Sequence, residues 1–318
     1  GVYDADLELN ENVLFWERTL PTALPLILKR LGYRTSFWYG GGLNWGSLTH
    51  FIPALGFDAA YGGPDICPPG APRTWLGVYD HLFLAEVGRR IRAEDDVPSF
   101  HFIYTTSNHG PYLLPFEEYG FDARRLTDRG VRKDSLKYRG LACAWYADQA
   151  LCRFIDEMRA VYPDSLFIVT GDHVGGEFPL IPGVTERREL LLRERLMTSF
   201  SMHHPQLTKV DFAGNMIGGH MNILPTLIEL IAPQGFSYYS IEKPLTERLD
   251  HVVTPYAWLT QEEVGRYQDR TAQALTVTAG TLPWQVDTAR FTEERDAYVE
   301  LTAYYVRHPE LLIRKEDL

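Results

Sequence analysis

Short apolar runs alternate with stretches of helical periodicity along most of this chain. That alternation predicts an α/β fold. Leu24, Ile27, Leu28 and Leu31 recur at helical spacing behind Thr22, which reads as an N-cap. Pro25 is tolerated in a first turn, and Gly32 closes the helix. Residues 33–39 then read as a strand. A short helix is predicted over 47–55, and the Pro/Gly-rich run 62–72 reads as a loop. Residues 80–91 look helical, with Phe83, Val87 and Ile91 on one face, and 100–104 is the next strand. Residues 116–134 are polar and mixed, a surface excursion. The clearest helix spans 136–161, with Leu141, Trp145, Leu151, Ile155 and Met158 as its apolar face and Pro163 just beyond its end.

The run Leu166-Phe167-Ile168-Val169 reads as a buried strand. After it, 186–195 predicts a solvated helix and 197–202 a further strand. Ile223, Leu227, Ile228 and Ile231 mark one more helix, with Pro225 near its start. From residue 232 the pattern loosens. Strands are expected over 252–259 and 275–279 and a helix over 292–306. The expected division is a main α/β unit, 1–231, and a smaller C-terminal subdomain, 232–318, packed on the main sheet. No internal repeat or low-complexity tract interrupts the chain.

With 318 residues and an apolar fraction of 45%, the chain can bury a sizeable core. Its net charge of -11, without a long basic run, argues against nucleic acid as a main partner. A phosphorylated substrate stays compatible with that charge, because a bound metal supplies local positive charge. Cys67, Cys143 and Cys152 lack zinc-type spacing. No apolar stretch approaches the roughly 20 residues needed to span a bilayer. The chain opens on Gly1 and shows no signal peptide, so the expectation is a fragment of something longer, with any targeting or membrane segment in the remainder.

Candidate chemistry gathers at predicted strand ends. Gly171-Asp172-His173 follows the 166–169 run. Ligands of open α/β sheets bind beyond the carboxyl ends of strands, and a carboxylate beside an imidazole there suits a metal. The alternative is a loop in which Asp172 caps the next element and His173 is solvated. Asn108-His109-Gly110 follows the 100–104 strand; a lone histidine is more often structural, and this placement makes His109 a better candidate for a ligand or general acid. The loop Gly40-Gly41-Gly42-Leu43-Asn44-Trp45-Gly46 fits neither the dinucleotide fingerprint nor the P-loop. Asn44 and Trp45 either line a pocket there or, for Trp45, pack beneath the loop. Asp148 is expected as a hydrogen-bonded structural acid, and His203 and His204 as surface histidines. His220 faces a site or fixes the start of the 223–231 helix.

Three segments together carry a family resemblance. They are Thr106-Ser107-Asn108-His109-Gly110-Pro111-Tyr112, Thr170-Gly171-Asp172-His173 and His220-Met221-Asn222-Ile223-Leu224-Pro225-Thr226. In order and spacing they resemble the sulfatase superfamily, which has the alkaline phosphatase fold, and within it the lipoteichoic acid synthase and phosphoglycerol transferase branch. Tyr39-Gly40-Gly41, Leu55-Gly56-Phe57-Asp58, and Leu20-Pro21-Thr22 ahead of Leu31-Gly32-Tyr33 resemble that branch too. The likeness covers residues 20–231. It implies a three-layer fold with a central, mostly parallel sheet. It also implies a divalent metal, manganese or zinc, with Asp172 and His173 as ligands. His109 matches a residue that contacts the headgroup or protonates the leaving group, and Trp45, with Asn44 beside it, lies near a headgroup-lining position. Asn222 stands where the family usually has an aspartate. The family's acidic metal ligand and its nucleophilic Thr or Ser, which lie ahead of the Leu-Pro-Thr helix, have no match in residues 1–18.

The function this implies is metal-dependent transfer of a phosphoglycerol-type or related phospholipid headgroup through a covalent phospho-enzyme. The setting implied is the extracytoplasmic face of a bacterial membrane or the periplasm, with membrane attachment through a missing N-terminal segment. One rival is a sulfatase or phosphodiesterase hydrolase on the same fold, acting on a sulfate or phosphate ester. The other is a non-catalytic binding module that lost the nucleophile.

Overall fold

The computed structural model describes residues 3, 9–17, 20–94, 97–175, 189–208, 212, 217–278 and 282–313. In chain order the first elements are α1 (Val13–Trp16), α2 (Leu24–Arg30), β1 (Arg34–Tyr39), α3 (Leu48–Ala54), β2 (Ala59–Gly62), α4 (Gly63–Ile66), α5 (Asp80–Ile91) and β3 (Ser99–Tyr104). Next come α6 (Arg124–Thr127), α7 (Leu136–Val161), β4 (Phe167–Thr170), α8 (Leu192–Leu196), β5 (Phe200–His203) and α9 (His220–Ile231). The chain then forms β6 (His251–Val253), β7 (Ala257–Thr260), β8 (Glu263–Arg266), β9 (Thr271–Ala274), β10 (Trp284–Gln285) and α10 (Ala289–Arg307).

The central sheet is parallel, in the order β2-β1-β3. Side chains of β1 alternate between its two faces, as strand geometry requires. Trp38 packs with Val78, Phe83, Val87, Phe154 and Met158, which joins the sheet to α5 and α7. Phe37 and Tyr39 pack with Leu48 and Ile52 of α3 on the opposite face. There α2 and α9 also meet, through Ile27, Leu28 and Ile228, with Phe100 of β3 against them. Helices on both faces of a parallel sheet give the three-layer architecture expected. A separate two-stranded sheet pairs β4 with β5 in antiparallel register, and strands β6 to β10 form an antiparallel sheet in the order β10-β9-β8-β7-β6.

Several expectations are corrected. Thr22 is not the N-cap of α2; that position is Ala23, without a side-chain cap. The run 62–72 is not all loop, since β2 ends in it and α4 forms within it. Residues 116–134 are more than a surface excursion. Phe116, Phe121, Leu126 and Val131 are buried against Tyr138, Ala142 and Tyr146 of α7. The buried face of α7 is therefore Tyr138, Ala142, Tyr146, Ala150 and Phe154, together with Met158. Leu141, Leu151 and Ile155 are half-buried and line a cleft, with Leu141 and Ile155 also packing against the core. The expected strand 252–259 is the hairpin β6–β7, and the expected strand over 275–279 lies one step earlier, at β9. Residues 186–188 and 279 of the expected elements lie outside the described residues.

Candidate active site

The carboxyl ends of β3 and β4 open on one cleft lined by Tyr104, His109, Asp172, His173, His220 and Trp45. Asp172 follows β4 directly, with Gly171 between them. A Cβ at Gly171 would overlap Thr198 Oγ1, so a larger residue there would have to displace the Thr198 side chain. The Asp172 carboxylate is exposed. Its Oδ1 accepts the His173 backbone N–H at 2.9 Å, and its Oδ2 accepts the Tyr104 hydroxyl at 3.1 Å. Tyr104 thus bridges from the end of β3 to the end of β4. Burial, with the Asp172 charge adding to it, pushes the Tyr104 phenol up to about 12, so it stays a donor at neutral pH.

The His173 ring follows the rule for metal-binding imidazoles, in which one nitrogen is held by an acceptor and the other is left free. Its Nδ1 lies 3.0 Å from the Val174 carbonyl, which places the proton on that nitrogen. Its Nε2 then carries the lone pair, 3.7 Å from Asp172 Oδ2. An oxygen and a nitrogen at that separation fit two bonds of about 2.0–2.2 Å to one divalent ion. Among the described residues no third His, Cys, Asp or Glu joins them in a cluster able to hold a metal. His220 is committed elsewhere. Its Nε2 lies 2.8 Å from the Gly171 carbonyl and 3.3 Å from Thr170 Oγ1, so it ties the first residue of α9 to the end of β4.

His109 sits on the exposed loop after β3. Its Nδ1 donates to the Gly110 carbonyl at 2.9 Å, and Trp75 packs edge-on at 5.3 Å while donating to the same carbonyl. The base of this loop is anchored in the core. Asp80, at the start of α5 and only 1% exposed, accepts the Thr106 and Ser107 backbone N–H groups on Oδ1. The Ser107 hydroxyl accepts the Asp80 N–H, and the Cys143 thiol donates to the Ser107 carbonyl. Burial raises the Asp80 carboxyl above its ordinary range, while the two backbone donors oppose that rise.

The structure therefore brings His109, Asp172, His173 and Trp45 to one cleft and leaves Asn44 outside its lining. Asp148 lines the cleft as an exposed residue that accepts from Gln149 and Cys152 of its own helix, so it is not the structural acid expected. His203 pairs with Phe167 at the opposite end of β4, and His204 contacts the Asp164 carbonyl there, where it lines the far end of the cleft away from Asp172. Asn222 is fully buried. Its Oδ1 accepts the Gly219 N–H and its Nδ2 donates to the Lys243 carbonyl, a second bond that an aspartate would forfeit. Tyr104 and Asp80 were not visible as site residues in the sequence. One ends an ordinary apolar run and the other starts an ordinary helix, and only the fold brings them to the two loops.

Among solved structures, the lipoteichoic acid synthase LtaP from Listeria monocytogenes is similar to this chain, with a TM-score of 0.70 and 15% identity; the match covers 96% of this chain and 78% of that one. A protein of the alkaline phosphatase superfamily from Vibrio parahaemolyticus matches with a TM-score of 0.68 and 20% identity, over 94% of this chain and 71% of its own. Likeness at such identities speaks to the fold, which is the alkaline phosphatase-like one. The profile of the Sulfatase family matches residues 11–233, more than half of the sequence. This chain belongs to the Sulfatase family.

Proposed function

We propose that this chain carries the metal site of an enzyme that transfers a phosphoglycerol-type or related phospholipid headgroup at the extracytoplasmic face of a membrane. What supports the reading most is the meeting of Asp172, His173 and His109 on one cleft, at the ends of β3 and β4. The fold is shared with a lipoteichoic acid synthase. Asp172 through its carboxylate and His173 through Nε2 would hold a divalent ion, manganese or zinc. Such an ion, when bound, supplies positive charge for the phosphoryl oxygens of a substrate, which an acidic chain otherwise lacks.

The roles of this chain's own residues follow from their bonds. Tyr104 holds the Asp172 carboxylate in place from across the cleft. His220 fixes the Gly171 carbonyl and so the turn that presents Asp172. His109, whose Nδ1–H is held by the Gly110 carbonyl, would in its doubly protonated form give its Nε2 proton to the departing alcohol oxygen and keep the one on Nδ1. Trp45, half exposed on the cleft wall, covers the apolar part of the headgroup. The attacking group is by family resemblance a Thr or Ser hydroxyl. Its oxygen gives up its proton to solvent and bonds to phosphorus as the phosphorus–oxygen bond to the departing alcohol breaks.

The test is turnover of phosphatidylglycerol vesicles by the full-length natural protein, read as diacylglycerol released. Wild type should release it, and Asp172→Ala should not. Equal release by the two would remove Asp172 from the mechanism. Glycerol phosphate appearing free in solution, rather than on an acceptor, would make the enzyme a hydrolase on the same fold.

A further inference from the structure

Trp75 is 64% exposed, yet its indole N–H is committed. It donates to the Gly110 carbonyl at 2.7 Å, the short end of the range for such bonds. The ring also stands edge-on to the His109 imidazole, with centroids 5.3 Å apart and planes at 74°. Neither contact buries the residue, so packing in a core does not account for a tryptophan here.

The turn that carries Trp75 is held from several sides. The Thr74 N–H donates to the Gly77 carbonyl at 2.8 Å, and the Thr74 hydroxyl accepts the N–H groups of Leu76 and Gly77, each at 3.2 Å. Gly77 forms an isolated bridge with Gly41, and the Val78 N–H donates to the Gly40 carbonyl at 2.9 Å. Gly40 and Gly41 follow β1 directly. The indole is therefore mounted on the end of β1, whereas His109 rides on the loop after β3.

The atom that joins them, the Gly110 carbonyl oxygen, has little else to hold it. Gly110 has no side chain, and a Cβ there would meet only the Tyr112 ring, at 3.8 Å. Among the described residues the oxygen accepts no backbone N–H. Its two acceptor positions are taken by His109 Nδ1 at 2.9 Å and by Trp75. The histidine is the neighbouring residue and moves with the carbonyl, so it cannot anchor it. Trp75 supplies the hydrogen bond that ties this oxygen to the rest of the fold.

We infer that Trp75 is a positioning residue for His109. Its N–H fixes the Gly110 carbonyl as the acceptor for Nδ1–H, and that acceptor reserves Nε2 for the substrate. A neutral imidazole free in water prefers its proton on Nε2, so the Nδ1–H form has to be imposed by a partner. The form matters to an acid. Once Nε2 has given its proton to the departing alcohol oxygen, the ring that remains carries one proton, on Nδ1, and a fixed acceptor there stabilises that product of the transfer. The indole itself moves no proton, since its N–H is a donor only. The inference rests on the proposed reaction for the use made of the Nδ1–H form; the control of that form by Trp75 stands apart from it.

Two variants test this. Trp75→Phe keeps an aromatic ring and loses the N–H, and Trp75→Ala loses both. The first readout is ring-nitrogen NMR of protein labelled with ¹⁵N-histidine, at alkaline pH where imidazoles are neutral, with His109→Gln to identify the signal. Wild type should show the Nδ1–H form, and both variants should shift toward Nε2–H. The second readout is turnover of phosphatidylglycerol vesicles. In both variants kcat should fall about two- to tenfold, the worth of one hydrogen bond, with KM unchanged. Loss of the Nδ1–H form in both variants of a protein that does not turn over these vesicles would remove the proposed reaction and leave the positioning role in place. A wild-type tautomer retained in Trp75→Phe would overturn the inference. A raised KM at unchanged kcat would also overturn it, by making Trp75 a substrate contact.

Discussion

Replacing Asp80 by alanine should loosen the loop that carries His109 and cost about 2–6 kcal/mol of folding stability. The figure comes from the bonds that Asp80 makes. One carboxylate oxygen receives the backbone N–H groups of Thr106 at 3.1 Å and Ser107 at 3.0 Å, in a site that excludes water. Alanine strands both donors, and each buried group left unpaired costs about 1–3 kcal/mol. An asparagine at the same position would keep an acceptor oxygen and give up the charge assistance, so Asp80→Asn should lose about 1–2 kcal/mol. The pH dependence separates the two further from the wild type. Burial raises the carboxyl above its unfolded value, so its contribution to stability is full below about pH 3.8 and is lost as pH rises through the folded pKa. That component should vanish in both variants. Urea unfolding followed by tryptophan fluorescence, repeated across pH, measures all of this. A loss below about 0.5 kcal/mol for Asp80→Ala, or equal losses for the two variants, would refute the anchoring argument.

Other parts of the structure give further expectations. His109→Ala should lower turnover of a phosphatidylglycerol substrate by about 10²–10⁴-fold while leaving bound metal unchanged; a metal-free variant would assign His109 a different role. His101, pulled down to about 4 by burial with Arg34 adding to it, is neutral in the folded state and accepts the Trp38 indole N–H. Its share of stability is therefore full above about pH 6.5 and is lost as pH falls through 4, on the order of 3 kcal/mol, and His101→Gln should flatten that slope in acid titrations. Gly77→Ala should destabilise the chain by about 1–3 kcal/mol, since its Cβ would overlap the Gly40 carbonyl and the Thr106 hydroxyl; unchanged thermal unfolding would contradict that packing.

The sequence carried the layered α/β plan because its strong signals are local. Helices α5 and α7 match their predicted spans, since apolar spacing and end signals act within a few residues. The face of α7 was harder to read. Leu141, Leu151 and Ile155 look onto the cleft, while the buried face interleaves Tyr138, Tyr146 and Phe154 with small Ala142 and Ala150, which carry little apolar signal. Strand β2 was hidden by its Gly and Pro neighbours, and the hairpin β6–β7 by a turn inside one apolar run. For the candidate site, Asp172, His173 and His109 could be nominated because each lies within a few residues of the end of a recognisable strand. Asn44 stood beside Trp45 in the sequence yet falls outside the cleft, and the roles of Tyr104 and Asp80 depend on long-range partners that no local pattern encodes.

Elemental analysis of manganese and zinc in the full-length natural protein, beside its Asp172→Ala variant, tests the metal site most directly. A stoichiometric divalent ion in the wild type that is lost from a folded variant is the predicted result. A wild type without metal, or a variant that keeps it, would contradict the assignment of Asp172 and His173.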